Sequence, residues 1–120
     1  MINKDIENDI KKIASTAKAE EVLLFGSYLK GTQSEKSDID IALVIDQPVI
    51  NELREKLTKL NLSTPVSARK MNGSYGPALP ELSVKHFHVI VLNKNENNSE
   101  FLKRSSAHIL MANKKIKRDC

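Results

Sequence analysis

Hydrophobic residues follow first a helical and then an extended pattern along the beginning of this 120-residue chain. Over residues 3–19 they recur every three or four positions, which is the spacing of one face of an amphipathic helix. The apolar run 22–25 then ends at Gly26, as a short buried strand ends in a turn. In residues 38–45, isoleucine and leucine alternate with aspartate and smaller residues, which predicts a second strand with two different faces.

The second half of the chain continues this mixture of helices and strands. Leucines at helical spacing predict a helix over residues 48–61. Residues 64–70 favour a third strand, in which Pro65 suits only an edge position or the start. Residues 86–92 form a clear strand, and residues 100–112 fit either a helix or a final strand. This order predicts an α/β (α+β) fold, with a mixed sheet of about four to five strands flanked by helices.

The charge of the chain is concentrated at its C-terminal end. The formal net charge is +4, but residues 1–100 hold 13 Lys/Arg and 14 Asp/Glu, whereas residues 101–120 hold 6 and 1. A basic surface spread over the domain, as nucleic-acid binding requires, is therefore not expected. We predict one domain over residues 1–112 and a basic C-terminal tail over residues 113–120.

Other features of the sequence point to the cytoplasm. The single cysteine is the last residue, Cys120, so an intrachain disulfide and a cysteine-based zinc site are excluded. The first residues, 1–12, include acidic side chains and no apolar core of signal-peptide length. No apolar run approaches the roughly 18 residues that span a bilayer. We therefore expect a cytoplasmic protein without membrane contact.

The candidate chemistry lies between the first two predicted strands. Gly26-Ser27 ends the first strand, and after ten intervening residues, 28–37, Asp38 and Asp40 open the second. Because positions i and i+2 of a strand share a face, the two carboxylates lie side by side. Such a pair repels unless a cation lies between its members, and Mg²⁺ takes one or two carboxylates together with substrate phosphates. The turn leaves room for a phosphate, so the pattern predicts a phosphoryl-transfer site.

Residues 22–46 resemble the GS-x10-D-x-D signature of the DNA polymerase β-like nucleotidyltransferases, and most of all the small minimal nucleotidyltransferases of bacteria and archaea. The resemblance implies the nucleotidyltransferase fold and transfer of a nucleoside monophosphate, most plausibly AMP, from ATP or another NTP to a hydroxyl group, with two Mg²⁺ ions. It assigns the following residues: Asp38 and Asp40 as catalytic metal ligands, and Gly26, Ser27, Lys30 and Lys36 as nucleotide-binding residues. For the two lysines, a solvated loop position is an equal alternative.

One part of the family pattern is missing from this sequence. The family usually has a third carboxylate on a later strand, which helps to bind the catalytic metal and activates the acceptor hydroxyl. Depending on which later strand aligns, that position holds Ser67, His86 or His88, and none of these is an acid. His88 could act as a base at neutral pH, whereas Ser67 cannot. Glu81 is near in sequence but lies on a predicted loop. The sequence leaves open a weak enzyme, a substitute base, or a fold without turnover.

The resemblance also implies a partner. Chains of this size commonly resemble the antitoxin half of a two-gene module, which adenylylates a tyrosine of an all-helical HEPN ribonuclease toxin. A partner that supplies the acceptor suits so small a chain, in a homo- or hetero-oligomer. The alternatives are a degenerate nucleotidyltransferase that binds its partner by contact alone and, less favoured, an aminoglycoside-type small-molecule nucleotidyltransferase. A polymerase role is not expected, because the sequence holds no template-binding domain.

Overall fold

Five strands form one mixed sheet within the residues that the structure, a computed structural model, describes: 2–35, 37–62, 64–70 and 85–112. In chain order the elements are α1 (Lys4–Ala17), β1 (Glu21–Phe25), α2 (Ser27–Lys30), β2 (Ile39–Ile45), α3 (Ile50–Thr58), β3 (Val66–Lys70), β4 (Phe87–Asn93), α4 (Ser99–Ser105) and β5 (His108–Ala112). The strand order is β3-β4-β2-β1-β5. Strand β1 is antiparallel to β2 and β5, whereas β2, β4 and β3 run parallel. The predicted fold class is confirmed.

Helix α1 forms because its sequence provides a cap and an apolar stripe. The Asn3 side chain accepts a hydrogen bond of 2.8 Å from the backbone N–H of Ile6, which satisfies one of the amide groups that a helix start leaves unpaired. Ile10 and Ile13 are fully buried against the sheet. The helix ends where Lys18 adopts the left-handed conformation, at φ 56°. The first predicted helix is therefore confirmed, with slightly shorter ends.

Strand β2 divides the interior into two cores by its alternation. Ile39, Ile41 and Leu43 are fully buried in the larger core, which also contains residues of α1 and α3. Ala42 points to the opposite face and belongs to a smaller core with Phe101 of α4. The two faces predicted for this strand are thus present, and each is covered by different helices.

Two later elements differ in detail from the sequence prediction. Helix α3 begins at Ile50 rather than at Pro48, with Val49 as its N-cap and without a side-chain capping hydrogen bond. Strand β3 lies at the sheet edge and begins directly after Pro65, whose carbonyl accepts the Phe87 amide at 2.8 Å. Because proline has no N–H to donate, this edge and start position is the one that suits it.

The ambiguous C-terminal region contains both a helix and a strand. Helix α4 ends at Ser106, which has φ 54°, and β5 then pairs with β1. The predicted tail, residues 113–120, lies outside the described residues. No described helix combines the length and the apolarity that a membrane crossing requires.

Candidate active site

Strand β1 ends in a turn where a side chain would not fit. Gly26 has φ +74°, which L-residues rarely adopt, and a Cβ at this position would overlap the Asp40 carboxylate. The Lys30 amide donates to the Gly26 carbonyl at 3.1 Å, which closes the single helical turn α2. The sequence predicted only a turn at this point, because four residues are too few to show a helical period. Tyr28 in this turn is buried, so it packs rather than offering a face to a base.

Asp38 and Asp40 lie where β2 begins, on the face opposite the larger core. Their side chains are 32% and 20% exposed, respectively. Asp40 is in register with Phe25, the last residue of β1, and this pairing places its carboxylate against Gly26. The glycine turn and the acidic pair, which are separate in sequence, therefore form one surface.

A histidine at the start of the neighbouring parallel strand β4 pairs with each aspartate: His86 immediately precedes the strand, and His88 is its second residue. His86 Nδ1 lies 3.1 Å from Asp38 Oδ1, and His88 Nδ1 lies 2.9 Å from Asp40 Oδ1. The backbone N–H of His86 also donates to Asp38 Oδ1, at 3.2 Å. These contacts all use Oδ1. The sequence did show that the two aspartates, and likewise the two histidines, are two positions apart and therefore on one face of a predicted strand. It did not show that these two strands are neighbours in the sheet.

The strand order decides which residue stands beside the acidic pair. Strand β4 lies between β2 and β3, so His88 is the register partner of Asp40, and Ser67 lies one strand farther away. His88 and Ser67 are buried, at 5% and 4% exposure. Within the described ranges, neither His88 Nε2 nor Ser67 Oγ has a hydrogen-bond partner. Of the candidates for the third position, the structure therefore brings His88 to Asp40 and His86 to Asp38, whereas Ser67 lies one strand away.

The carboxylates fit a hard divalent cation of the kind that the sequence suggested. Each has one oxygen held by a histidine, and such outer hydrogen bonds commonly orient metal-binding carboxylates. Oδ2 of Asp40 packs against Gly26, in the space that a Cβ at this position would take. Two carboxylates completed by substrate phosphates are a usual Mg²⁺ environment. In the described part of the chain, no group of three or more His, Cys, Asp or Glu side chains is arranged to bind a metal ion.

The remaining predicted residues have different positions. Lys30 is exposed and lines a cleft of about 420 Å³ beside the glycine turn, together with Arg104 of α4. Lys36 lies outside the described residues, and so does Glu81. Sequence reasoning missed Arg104, because nothing in its local sequence connects α4 with a turn so distant along the chain.

The family to which this fold and surface belong is identified by comparison. The model for "Polymerase beta, Nucleotidyltransferase" matches residues 8–97, which is most of the chain. The chain therefore belongs to the polymerase β nucleotidyltransferase family.

One curated relative is a Methanocaldococcus jannaschii protein that carries the provisional name protein adenylyltransferase. It is 35% identical over 60 residues, which cover 49% of this chain and 59% of that protein. The chain thus matches less than two thirds of the length of this relative.

Proposed function

We propose that this protein transfers AMP from ATP to a hydroxyl group of a partner protein, in a reaction that requires Mg²⁺. The observation that carries the proposal is the placement of Asp38 and Asp40 side by side, with Asp40 packed against the Gly26 turn. Membership of a nucleotidyltransferase family supports the reaction class. In this reaction, the acceptor oxygen bonds to the α-phosphorus, the bond from that phosphorus to the oxygen bridging to the β-phosphate breaks, and pyrophosphate leaves. The acceptor hydroxyl gives its proton to water.

The residues of the turn and of β2 have distinct roles in this proposal. Asp38 and Asp40 would hold Mg²⁺ through oxygens that the histidines leave available. When bound, Mg²⁺ neutralises phosphate charge and aligns the reacting groups. Gly26 lets the Asp40 carboxylate approach the turn closely, and Ser27 offers a hydroxyl for a phosphate next to it.

His88 occupies the position next to Asp40, and we assign it an orienting role. Its Nδ1 contacts Asp40 Oδ1, and its Nε2 is buried, so neither nitrogen is presented to an acceptor hydroxyl. A base must reach the proton that it removes, directly or through one water. His88 therefore supports the carboxylate and does not itself take the acceptor proton.

A protein acceptor is supported by two resemblances. The provisional name of the archaeal relative describes adenylylation of a protein. The GS-x10-D-x-D segment is similar to minimal nucleotidyltransferases that act as antitoxins. On this basis we propose that the acceptor is a tyrosine hydroxyl of a HEPN-type toxin.

A second candidate function is binding without transfer. The observation that favours it is the buried histidine in the place beside Asp40 where the family usually has an acid. In that case the protein would neutralise its partner by contact alone, and the aspartates would not be needed for its effect.

A transfer assay distinguishes the two candidates. The protein is incubated with Mg²⁺, ATP labelled at the α-phosphate and a HEPN-type protein encoded beside it, and the label on the partner is measured. We expect transfer by the natural chain and none by Asp38→Ala/Asp40→Ala. The matched control, Glu52→Ala/Glu55→Ala, removes two exposed acids of α3 and should transfer normally. If no label is transferred while the partner binds all three proteins equally, the binding function is correct and the transferase proposal is wrong.

A further inference from the structure

A cleft of about 420 Å³ opens between the end of β1 and the last turn of α4, and its lining residues are Phe25, Gly26, Lys30, Arg104 and Ser105. Gly26 connects this cleft to the acidic pair, because the Asp40 carboxylate packs against that glycine. The cleft is therefore next to the proposed reaction site. Helix α4 lies beyond residues 8–97, the part of the chain that matches the family.

The last turn of α4 is held in a defined position. Phe101 packs edge-on against Phe25 of β1, with ring centroids 5.4 Å apart. The Ser105 hydroxyl donates to the Phe101 carbonyl at 2.7 Å and accepts from the Ala107 amide at 3.3 Å. The Ser106 amide donates to Leu102 at 3.0 Å and closes the helix end. These contacts fix the backbone that presents Arg104 to the cleft.

The charge of the cleft is positive on both sides. Lys30 extends from α2 and Arg104 from α4, and none of the described lining residues is acidic. Arg104 Nη2 also contacts Glu100 Oε1 at 2.8 Å, one turn earlier on the same helix. Both side chains of this pair are largely exposed, and exposed pairs of this kind are weak. The guanidinium therefore keeps donors for another anion.

The chemistry of the lining selects phosphate over a nucleobase. An arginine fork binds phosphate oxygens with two parallel hydrogen bonds, and a lysine adds a compact charge. Phe25 is the aromatic residue in the lining, but it is only 2% exposed and offers no open ring face for a base.

We propose that Arg104 and Lys30 bind the phosphate chain of the nucleotide in this cleft, with α4 as its second wall. The inference rests on the proposed nucleotidyltransferase function and adds a phosphate-binding residue from outside the matched part of the chain. It predicts that the phosphates, and not the nucleoside, are the part of the ligand that α4 recognises.

Binding measurements on the full chain test this inference without any transfer step. Calorimetric titrations with Mg²⁺-ATP, inorganic triphosphate and adenosine are compared for the natural chain, Arg104→Gln and Lys30→Gln. We expect each variant to weaken binding of ATP and triphosphate by about tenfold, because a charge-assisted hydrogen bond is lost, and to leave adenosine binding unchanged. Arg104→Lys should recover only part of the loss, because it keeps the charge but not the fork.

The matched control is Lys103→Gln, which removes the same charge from the neighbouring residue of α4 that does not line the cleft. It should change triphosphate affinity by no more than about twofold, as expected for an exposed, solvent-screened charge outside the cleft. The inference is overturned if Arg104→Gln behaves like this control, if adenosine binding falls as much as triphosphate binding, or if the natural chain does not bind triphosphate. If triphosphate binds as expected but no partner receives label, the cleft is correct and the proposed transfer reaction is wrong.

Discussion

The two faces of the central strand β2 differ in their cover and in the residues that they present. On one face, Ile39, Ile41 and Leu43 are fully buried beneath α1 and α3. On the other face, Ala42 is buried in the smaller core, which includes Phe101 of α4, while Asp40 beside it remains partly exposed. Since neighbouring residues of a strand point to opposite sides, one short strand supplies both a stable core and a polar surface. The comparison teaches that changes on the two faces should affect different properties.

The largest expected effect on stability comes from the covered face. Ile41→Ala should lower the free energy of unfolding by about 2–5 kcal/mol, because it removes buried methyl groups and leaves a cavity. Urea denaturation measures this loss, and transfer per folded molecule should stay unchanged. Ile109→Ala, at a position of β5 that is 63% exposed, should change stability by less than about 0.5 kcal/mol. Equal losses in the two variants would contradict this account of the core.

The largest expected effect on chemistry comes from the polar face. Asp40→Asn should reduce AMP transfer by at least about 100-fold, the size of one preorganised electrostatic contribution, while the thermal unfolding midpoint changes little. Asp46→Asn, just beyond the other end of the same strand, is the control and should transfer normally. Comparable transfer by the two variants would show that Asp40 is not part of the site.

The two glycines that flank the short helix α2 allow the contact of Gly26 with Asp40 to be tested. Gly26 and Gly31 have nearly the same φ, 74° and 75°, but only a Cβ at Gly26 would meet the Asp40 carboxylate. Gly31→Ala, in the left-handed helical region at ψ 19°, should lose about 1–2 kcal/mol of stability. Gly26→Ala should lose more, because ψ −155° at this φ is a conformation that essentially only glycine adopts and because its Cβ would overlap the Asp40 carboxylate. Transfer measured at a temperature where both variants are folded should fall only for Gly26→Ala. If Gly31→Ala loses as much transfer, the contact between position 26 and Asp40 is not the cause of the loss.

The smallest expected effect is that of the residue that supports Asp40. His88→Ala should raise the Mg²⁺ concentration needed for half-maximal transfer by about tenfold, the usual cost of losing a hydrogen bond to a metal-binding carboxylate. His88→Asn keeps an N–H donor and should restore part of the loss. Ser67→Ala, in the same row but one strand farther away, should leave the Mg²⁺ dependence unchanged. A maximal rate that falls for His88→Ala with the Mg²⁺ requirement unchanged would contradict the orienting role.

Several parts of this structure were accessible from local sequence patterns. The stripe of α1, the two faces of β2 and the side-by-side placement of Asp38 and Asp40 depend on periods of a few residues, so they could be read directly. The sequence predicted the short helix α2 and the start of α3 less accurately. A four-residue helix is too short to show a helical period, and the N-cap of α3, Val49, has no side chain that can form a capping hydrogen bond.

The sequence by itself determined the fold class and the acidic pair, because both follow from interactions between near neighbours in the chain. Only the tertiary structure decided that β4 lies between β2 and β3, and therefore that His88 and not Ser67 stands beside Asp40. It also brought Arg104 of α4 to the cleft beside Gly26. Strand order and helix packing depend on which apolar surfaces, distant in sequence, fit together. The local spacing of hydrophobic residues does not specify which surfaces these are.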